Sequence, residues 1–226
     1  MLLRYFSKSP RNGDTLRMLS QLLLFAIILG GCASGPKPAK SDAPQERASR
    51  QATPDERLRD VPTKALTLFE RAASIMAAGD SIDAELRFKE FVLQYPGYPG
   101  AFVNLAILSA QAGNDKAAED FITDALIIDP EHPAALNQLG LLLRRQGKFV
   151  EAESAYLKAV TASPDYALAH YNLGVLNELY LQRLNDALQH FERYQRIDGE
   201  DKQVTKWIAD LKRRLAALER AANVAD

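Results

Sequence analysis

Apolar residues recur through residues 65–199 with the three- and four-residue spacing of amphipathic helices, and the whole pattern returns every 34 residues. The clearest unit, residues 134–164, predicts two short helices that meet at Gly147 and end before Pro164. We therefore predict an all-α solenoid of about four helix pairs, each covering an apolar face of the next. The pairs span about 65–98, 99–132, 133–166 and 167–200.

Small and large residues occupy fixed positions in each unit. Two antiparallel helices approach closely only where one side chain is small, and large residues must fill the flanking space. The small positions are Ala72, Ala106, Gly140 and Gly174 in the first helices, with Ala84, Ala118, Ala152 and Ala187 in the second. The large positions include Phe88, Ile122, Tyr156 and Phe191. This alternation predicts where the helices of each pair cross.

Glycines mark the predicted turns within the helix pairs. Gly79, Gly113 and Gly147 stand where a residue with positive φ would end the first helix. The fourth unit differs, because residues 179–184 contain no glycine and one extra residue, and Gly199 replaces the closing proline. We still predict a helix pair there.

These positions resemble the tetratricopeptide repeat (TPR). The third unit matches its pattern throughout, at Leu136, Leu139, Gly140, Gly147, Ala152, Tyr156, Ala159 and Pro164. The resemblance implies a right-handed α-solenoid spanning residues 63–199, whose first helices line a concave groove. It also implies that this groove binds extended peptides.

The C-terminal stretch, residues 201–224, predicts one more amphipathic helix. Val204, Ile208, Leu211, Leu215 and Leu218 follow one another at spacings of four and three. We expect it to cap the open end of the solenoid. The same spacing also suits a coiled-coil seam, so self-association into a homo-oligomer is the alternative.

The N-terminus has the pattern of an export signal. Basic residues precede the apolar run 22–29, and Gly30 and Gly31 lead to Cys32, the only cysteine. The run is shorter than a spanning helix requires, although an uncleaved anchor is the alternative. Residues 29–32 (LGGC) resemble the lipobox of bacterial lipoproteins. That resemblance implies removal of residues 1–31, lipidation of Cys32 (palmitate among the acyl chains) and, because Ala33 follows, attachment to the outer membrane facing the periplasm.

Residues 32–62 predict a tether rather than a folded unit. After Cys32 the segment has no apolar period and is rich in Pro, Ala, Ser and charged residues. Such a composition cannot bury enough surface to offset the entropy of ordering. We expect a disordered leash between the membrane and the repeats.

Composition and motifs argue against several functional classes. A net charge of −1 gives no electrostatic case for nucleic acid. The three histidines lack partners at metal-ligand spacing, and we expect His170 to be a packing residue. There is no phosphate-binding loop or nucleophile motif. We predict no metal, no cofactor and no enzyme activity.

The candidate site is the groove. Amides recur at Asn104, Gln138 and Asn172, 34 residues apart, and could pair with a peptide backbone without reading its sequence. Their alternative role is to bond neighbouring helices or water. The other candidate groove residues are Ile107, Asn137, Leu141, Arg144, Arg145, Tyr171 and Val175. Arg144 and Arg145 could meet an acidic group, although the basic residues of the chaperone-type carboxylate clamp are absent from the corresponding positions.

The combined resemblances imply a membrane-attached periplasmic adaptor without catalysis. Its partner would be a periplasmic or outer-membrane protein or peptide. Such lipoproteins assist envelope machines, as pilotin-like members do for type IV pilus secretins, or dock cell-wall enzymes. The alternative is a structural lipoprotein that self-associates through its last helix and has no groove partner.

Overall fold

The computed structural model describes residues 61–225, and within them the chain folds into helices without any strand. The prediction of an all-α solenoid of four helix pairs with a capping helix is confirmed. The helices are α1 (Thr63–Ala77), α2 (Ser81–Gln94), α3 (Pro99–Gln111), α4 (Asp115–Ile128), α5 (Pro133–Arg145), α6 (Phe149–Ala162), α7 (Ala167–Leu179), α8 (Leu184–Asp198) and α9 (Lys202–Ala225). Each odd-numbered helix up to α7 packs against the helix that follows it.

The helix crossings place a glycine under an aromatic ring. A Cβ added at Gly140 would lie 2.6 Å from Cδ1 of Tyr156. At Gly174 the same atom would lie 2.6 Å from Cδ1 of Phe191. Both distances are far inside van der Waals contact, so each ring occupies the space that a side chain would need. The predicted pairing of small with large positions is confirmed in these two repeats.

Three turns have the conformation that the sequence predicts. Gly79, Gly113 and Gly147 have φ of 90°, 77° and 75°, a region that other residues rarely adopt. In the fourth turn, where glycine is missing, Gln182 takes the positive φ of 55° instead. The extra residue is accommodated there, because the Arg183 amide donates to the carbonyl of Asn177 at 2.8 Å and closes a longer turn.

The core is a series of clusters rather than a single centre. The first is aromatic, with Phe69, Phe88, Phe91 and Tyr98 buried between α1, α2 and α3. Ion pairs link successive repeats at the surface: Arg145 with Asp115, Arg183 with Glu153, and Arg193 with Asp165. Each repeat therefore depends on its neighbours for burial, as expected of a solenoid.

Helix α9 covers the last repeat. Val204, Ile208 and Leu211 are buried in a cluster with Phe191 and Tyr194 of α8. Arg214 reaches back to Glu178 of α7 at 2.9 Å. The apolar positions that could have formed a coiled-coil seam are thus largely used within the chain. Residues 216–223 of this helix are exposed, with Leu218 at 59%.

The predicted signal peptide, the predicted lipidation site Cys32 and residues 32–60 of the predicted tether lie outside the described residues. Within residues 61–225, no helix has the length and apolar content needed to cross a membrane.

Candidate functional site

The first helices of the repeats form the inner side of the solenoid. α3 contacts α5, and α5 contacts α7, more closely than the second helices contact one another. Shorter separation on one side makes that side concave. The candidate groove residues all lie on α3, α5 and α7.

A cavity of about 350 Å³ opens where α3, α4 and α5 meet. Five of the ten predicted groove residues line it: Ile107, Gln138, Leu141, Arg144 and Arg145. Its remaining walls include Ala106, Ala118 and Ile122, which were assigned from the sequence only to helix packing. The cavity is mostly aliphatic, with the amides of Gln111 and Gln138 and the two guanidinium groups as its polar elements. This mixture is typical of small ligand pockets.

The two adjacent arginines of α5 differ in their contacts. The guanidinium group of Arg145 donates to the Asp115 carboxylate and, at 3.3 Å, to the carbonyl of Ala110. Arg144 forms no ion pair with the described residues, and its Nη1 is buried without a hydrogen-bond acceptor among them. Sequence reasoning treated the pair as equivalent. Asp115, the residue that distinguishes them, is 30 positions away from Arg145.

The recurring amides of Asn104, Gln138 and Asn172 do not form a row of free groups. Asn172 is buried, and its Nδ2 donates to Oδ1 of Asn137 at 2.9 Å, joining α7 to α5. These two side chains therefore follow the alternative reading, in which amides bond neighbouring helices. The reason is the packing of α7 against α5, which brings residues 35 positions apart into direct contact. Asn104 and Gln138 are half-buried, and Gln138 faces the cavity.

Tyr171 and Val175 pack toward the C-terminal end of the solenoid. The Tyr171 ring lies 5.4 Å from that of Tyr194 and 6.0 Å from that of Trp207. Val175 packs against the same cluster. Their position on the first helix was read correctly from the sequence, but the cap takes up much of their apolar surface. The cavity lined by Ile107, Gln138 and Leu141 lies away from this cluster, between repeats two and three.

Two histidines form a partly buried pair between α7 and α8. His170 and His190 approach at 3.1 Å through their Nδ1 atoms, and Nε2 of His170 lies 3.0 Å from the carbonyl of Pro164. A carbonyl only accepts, so Nε2 of His170 donates and His190 donates across the Nδ1 contact. Burial lowers the pKa of both residues, that of His190 to about 4. His170 is a packing residue, as predicted, with a structural hydrogen bond added.

Tyr156 provides a second unusual group beneath the inner helices. Its ring is fully buried and its hydroxyl has no hydrogen-bond partner among the described residues. Burial raises the pKa of Tyr156 to about 12, while the positive charge of Arg144 acts in the opposite direction. Arg144 is thus close enough to influence the hydroxyl.

Metal binding finds no support in the part of the chain that is described. Residues 61–225 contain no group of three or more His, Cys, Asp or Glu side chains arranged around a common point. The two-histidine pair is held by its own hydrogen bonds.

The repeat pattern is recognised by a family model described as tetratricopeptide repeat. It matches residues 69–133 and 137–202, together more than half of the chain. The chain belongs to the tetratricopeptide repeat family. Its first helices are thus the inner helices of a TPR solenoid, a fold that serves as a scaffold for protein interaction. Curated protein sequences give no significant match.

Solved structures support the same fold. The PilF protein of Pseudomonas aeruginosa superposes with a TM-score of 0.60 at 22% identity, covering 70% of this chain and 72% of that one. A thermophilic TPR protein of Thermus thermophilus gives 0.57 at 20% identity, covering 70% and 86%. MamA of Desulfovibrio magneticus gives 0.53 at 20% identity, covering 72% and 91%. At these identities the likeness concerns the fold.

Proposed function

We propose that this protein is an adaptor that holds an extended segment of a partner protein in the concave groove between its second and third repeats. The observation that supports the proposal is the cavity itself. Ile107, Gln138 and Leu141 converge there on the inner side of a fold whose members bind proteins and peptides. The cavity combines aliphatic walls with a side-chain amide, so it offers both apolar contact and hydrogen bonding to a peptide.

The proposed site of action is the periplasmic face of the outer membrane of a Gram-negative cell. The LGGC sequence at residues 29–32 follows an apolar run, and Cys32 would carry the acyl chains. Several chains on one residue would give stable attachment, whereas a single chain binds only marginally. Residues 33–62 would then separate the repeats from the membrane, and their prolines favour extended conformations.

The proposed role is support of an envelope assembly. Two versions follow from the lipoprotein resemblance: assistance to a type IV pilus secretin, or docking of a cell-wall enzyme. Both need a scaffold that binds without catalysis, and both use the same groove. They differ in the partner that would be recovered with the protein.

Affinity capture from envelope extracts tests the groove. The variant combines Asn104→Ala, Gln138→Ala and Leu141→Ala, which truncate inner side chains and leave the Asn137–Asn172 bond intact. The matched control combines Ser154→Ala and Lys158→Ala on the exposed face of α6. We expect the groove variant to lose a partner, identified by mass spectrometry, that the wild type and control retain. Recovery of the same proteins with all three would refute binding in the groove.

Fractionation tests the anchor separately. Cys32→Ser removes the thiol that acylation requires, so we expect the protein to leave the outer-membrane fraction. Cys32→Ala gives the same result if the thiol is the cause. Continued sedimentation of both variants with the outer membrane would refute lipidation as the means of attachment.

A further inference from the structure

The guanidinium group of Arg144 forms no ion pair with the described residues, although one of its nitrogens is buried. Its side chain lines the cavity, its Nη1 is out of solvent, and no acceptor among the described residues reaches that atom. Burying a donor atom of a cationic group without an acceptor costs free energy, because the atom loses its hydrogen bonds to water and forms none within the protein. Such a group in a cavity is most simply explained by an acceptor that arrives from outside.

The neighbouring acid, Asp115, already has an ion-pair partner. Asp115 stands at the start of α4, within reach of the cavity rim, but its carboxylate bonds Arg145. Arg145 also donates to the Ala110 carbonyl, which fixes it at the rim. Arg145 therefore holds α5 to the preceding repeat, while Arg144 keeps its hydrogen-bonding capacity for a ligand.

The surroundings of Arg144 favour a particular kind of ligand. A single guanidinium group matches one negative charge, and a carboxylate accepts its parallel N–H bonds. Ile107, Leu141 and Leu142 form aliphatic walls beside it, and Gln138 offers an amide. A volume of about 350 Å³ is at the small end for ligand pockets and suits side chains rather than a folded element.

We infer that this cavity is a specificity pocket for an acidic side chain, in which Arg144 bonds the carboxylate of a Glu or Asp of the partner segment. An aliphatic residue next to that acid packs on Ile107 and Leu141, and Gln138 bonds the peptide backbone. The inference rests on the proposed function, since it names the chemistry of the segment held in the groove. It differs from the carboxylate clamp, whose basic positions this chain lacks.

Two synthetic peptides test the pocket on the full chain purified in detergent. The first is N-acetyl-Gly-Ser-Leu-Glu-Leu-Ser-Gly-amide, and the second replaces Glu with Gln, which removes the charge at nearly constant shape. Saturation-transfer NMR measures their binding even when it is weak. We expect the Glu peptide to bind at least about tenfold more tightly, equivalent to about 1.4 kcal/mol.

Variants of Arg144 and of an exposed lysine outside the cavity supply the comparison. Arg144→Gln should abolish the preference for the Glu peptide, Arg144→Lys should retain part of it, and Lys158→Gln, on the exposed face of α6, should leave it in place. Circular dichroism checks that each variant is folded. The comparison of the two peptides on the wild-type protein stands even if Arg144→Gln fails to fold.

The inference would be overturned by no binding of the Glu peptide, by equal binding of both peptides, or by a preference that survives Arg144→Gln. Binding that varies with protein concentration and not with added peptide would assign the cavity to a second copy, and would also overturn it. Failure of the proposed function is distinguishable. If the proposed function fails, the groove variant captures the same envelope proteins as the wild type. If only the pocket inference fails, the groove variant still loses its partner, but Arg144→Gln captures that partner as the wild type does.

Discussion

Replacement of Gly140 by alanine tests the helix crossing at the centre of the solenoid. In an exposed helix this change is stabilising by about 0.5–1 kcal/mol, because alanine restricts the unfolded chain and favours helix. At Gly140 the added methyl group would lie 2.6 Å from Cδ1 of Tyr156 and 2.8 Å from Cζ. The ring would have to move by about 1 Å to restore ordinary contact, and it is fully buried.

The magnitude follows from these opposing effects. Overpacking of a well-filled core costs about 1–3 kcal/mol, and the helix preference offsets part of that cost. We expect a net loss of about 1–2 kcal/mol in the free energy of unfolding. For a domain of this size, each kcal/mol corresponds to about 2–4 °C in Tm. Urea and thermal unfolding, followed by circular dichroism at 222 nm, would measure both quantities.

A double-mutant cycle identifies the cause of that loss. Tyr156→Leu removes the ring and creates a cavity, so alone it is destabilising. In the double variant, the alanine methyl group enters the space that the ring left. We therefore expect the two changes together to cost less than the sum of the single changes. An unchanged or raised midpoint for Gly140→Ala, or additive effects in the cycle, would refute the steric explanation.

Three further changes probe the core and the pH response. Ala152→Leu should cost about 1–3 kcal/mol or more in thermal melts, since Ala152 is fully buried at the α5–α6 crossing; an unchanged midpoint would contradict the register. Tyr156→Phe should leave urea stability unchanged or raise it by up to about 1 kcal/mol, because the hydroxyl has no hydrogen-bond partner within residues 61–225. The same variant should reduce the loss of stability between pH 10 and about 12, where the unfolded tyrosine ionises and the folded one, with its raised pKa, does not. Stability should also fall as pH drops from about 6.5 toward 4, because the pKa values of His170 and His190 are lowered in the folded state and the unfolded chain binds the protons. His190→Asn should flatten this part of the urea-midpoint profile, and an equal slope in both proteins would contradict the assignment.

The regular parts of the fold could be predicted from the sequence because they depend on local spacing. Gly147 ends a helix by its own conformational freedom, and Gly140 admits a ring by lacking a side chain. Both effects repeat every 34 residues, so each repeat supports the interpretation of the next. The fourth turn shows where this reasoning stops. Gln182 adopts a positive φ that no residue preference predicts, because the surrounding packing imposes it.

The candidate site was predictable only to the level of the helix face. Positions along α3 and α5 identified Ile107, Gln138 and Leu141 as inner residues, and the cavity contains all three. The bond between Asn137 and Asn172 was not predictable, because it depends on how α5 and α7 of successive repeats pack together rather than on spacing within one repeat. Likewise, the contact between the rings of Tyr171 and Trp207 depends on how α9 packs against the last repeat.

The two arginines show most clearly what tertiary contacts add. Arg144 and Arg145 are chemically identical and adjacent, but one helical step of about 100° separates their directions. That rotation brings Arg145 to Asp115 on the preceding repeat and turns Arg144 toward the cavity and the Tyr156 hydroxyl. A stabilising ion pair and an unpaired donor thus arise from one dipeptide. In the proposed pocket, the ion pair between Arg145 and Asp115 holds the wall in place, and the guanidinium group of Arg144 binds the acidic side chain. We therefore expect Arg145→Gln to lower the stability of the protein, and Arg144→Gln to remove the discrimination between the two peptides.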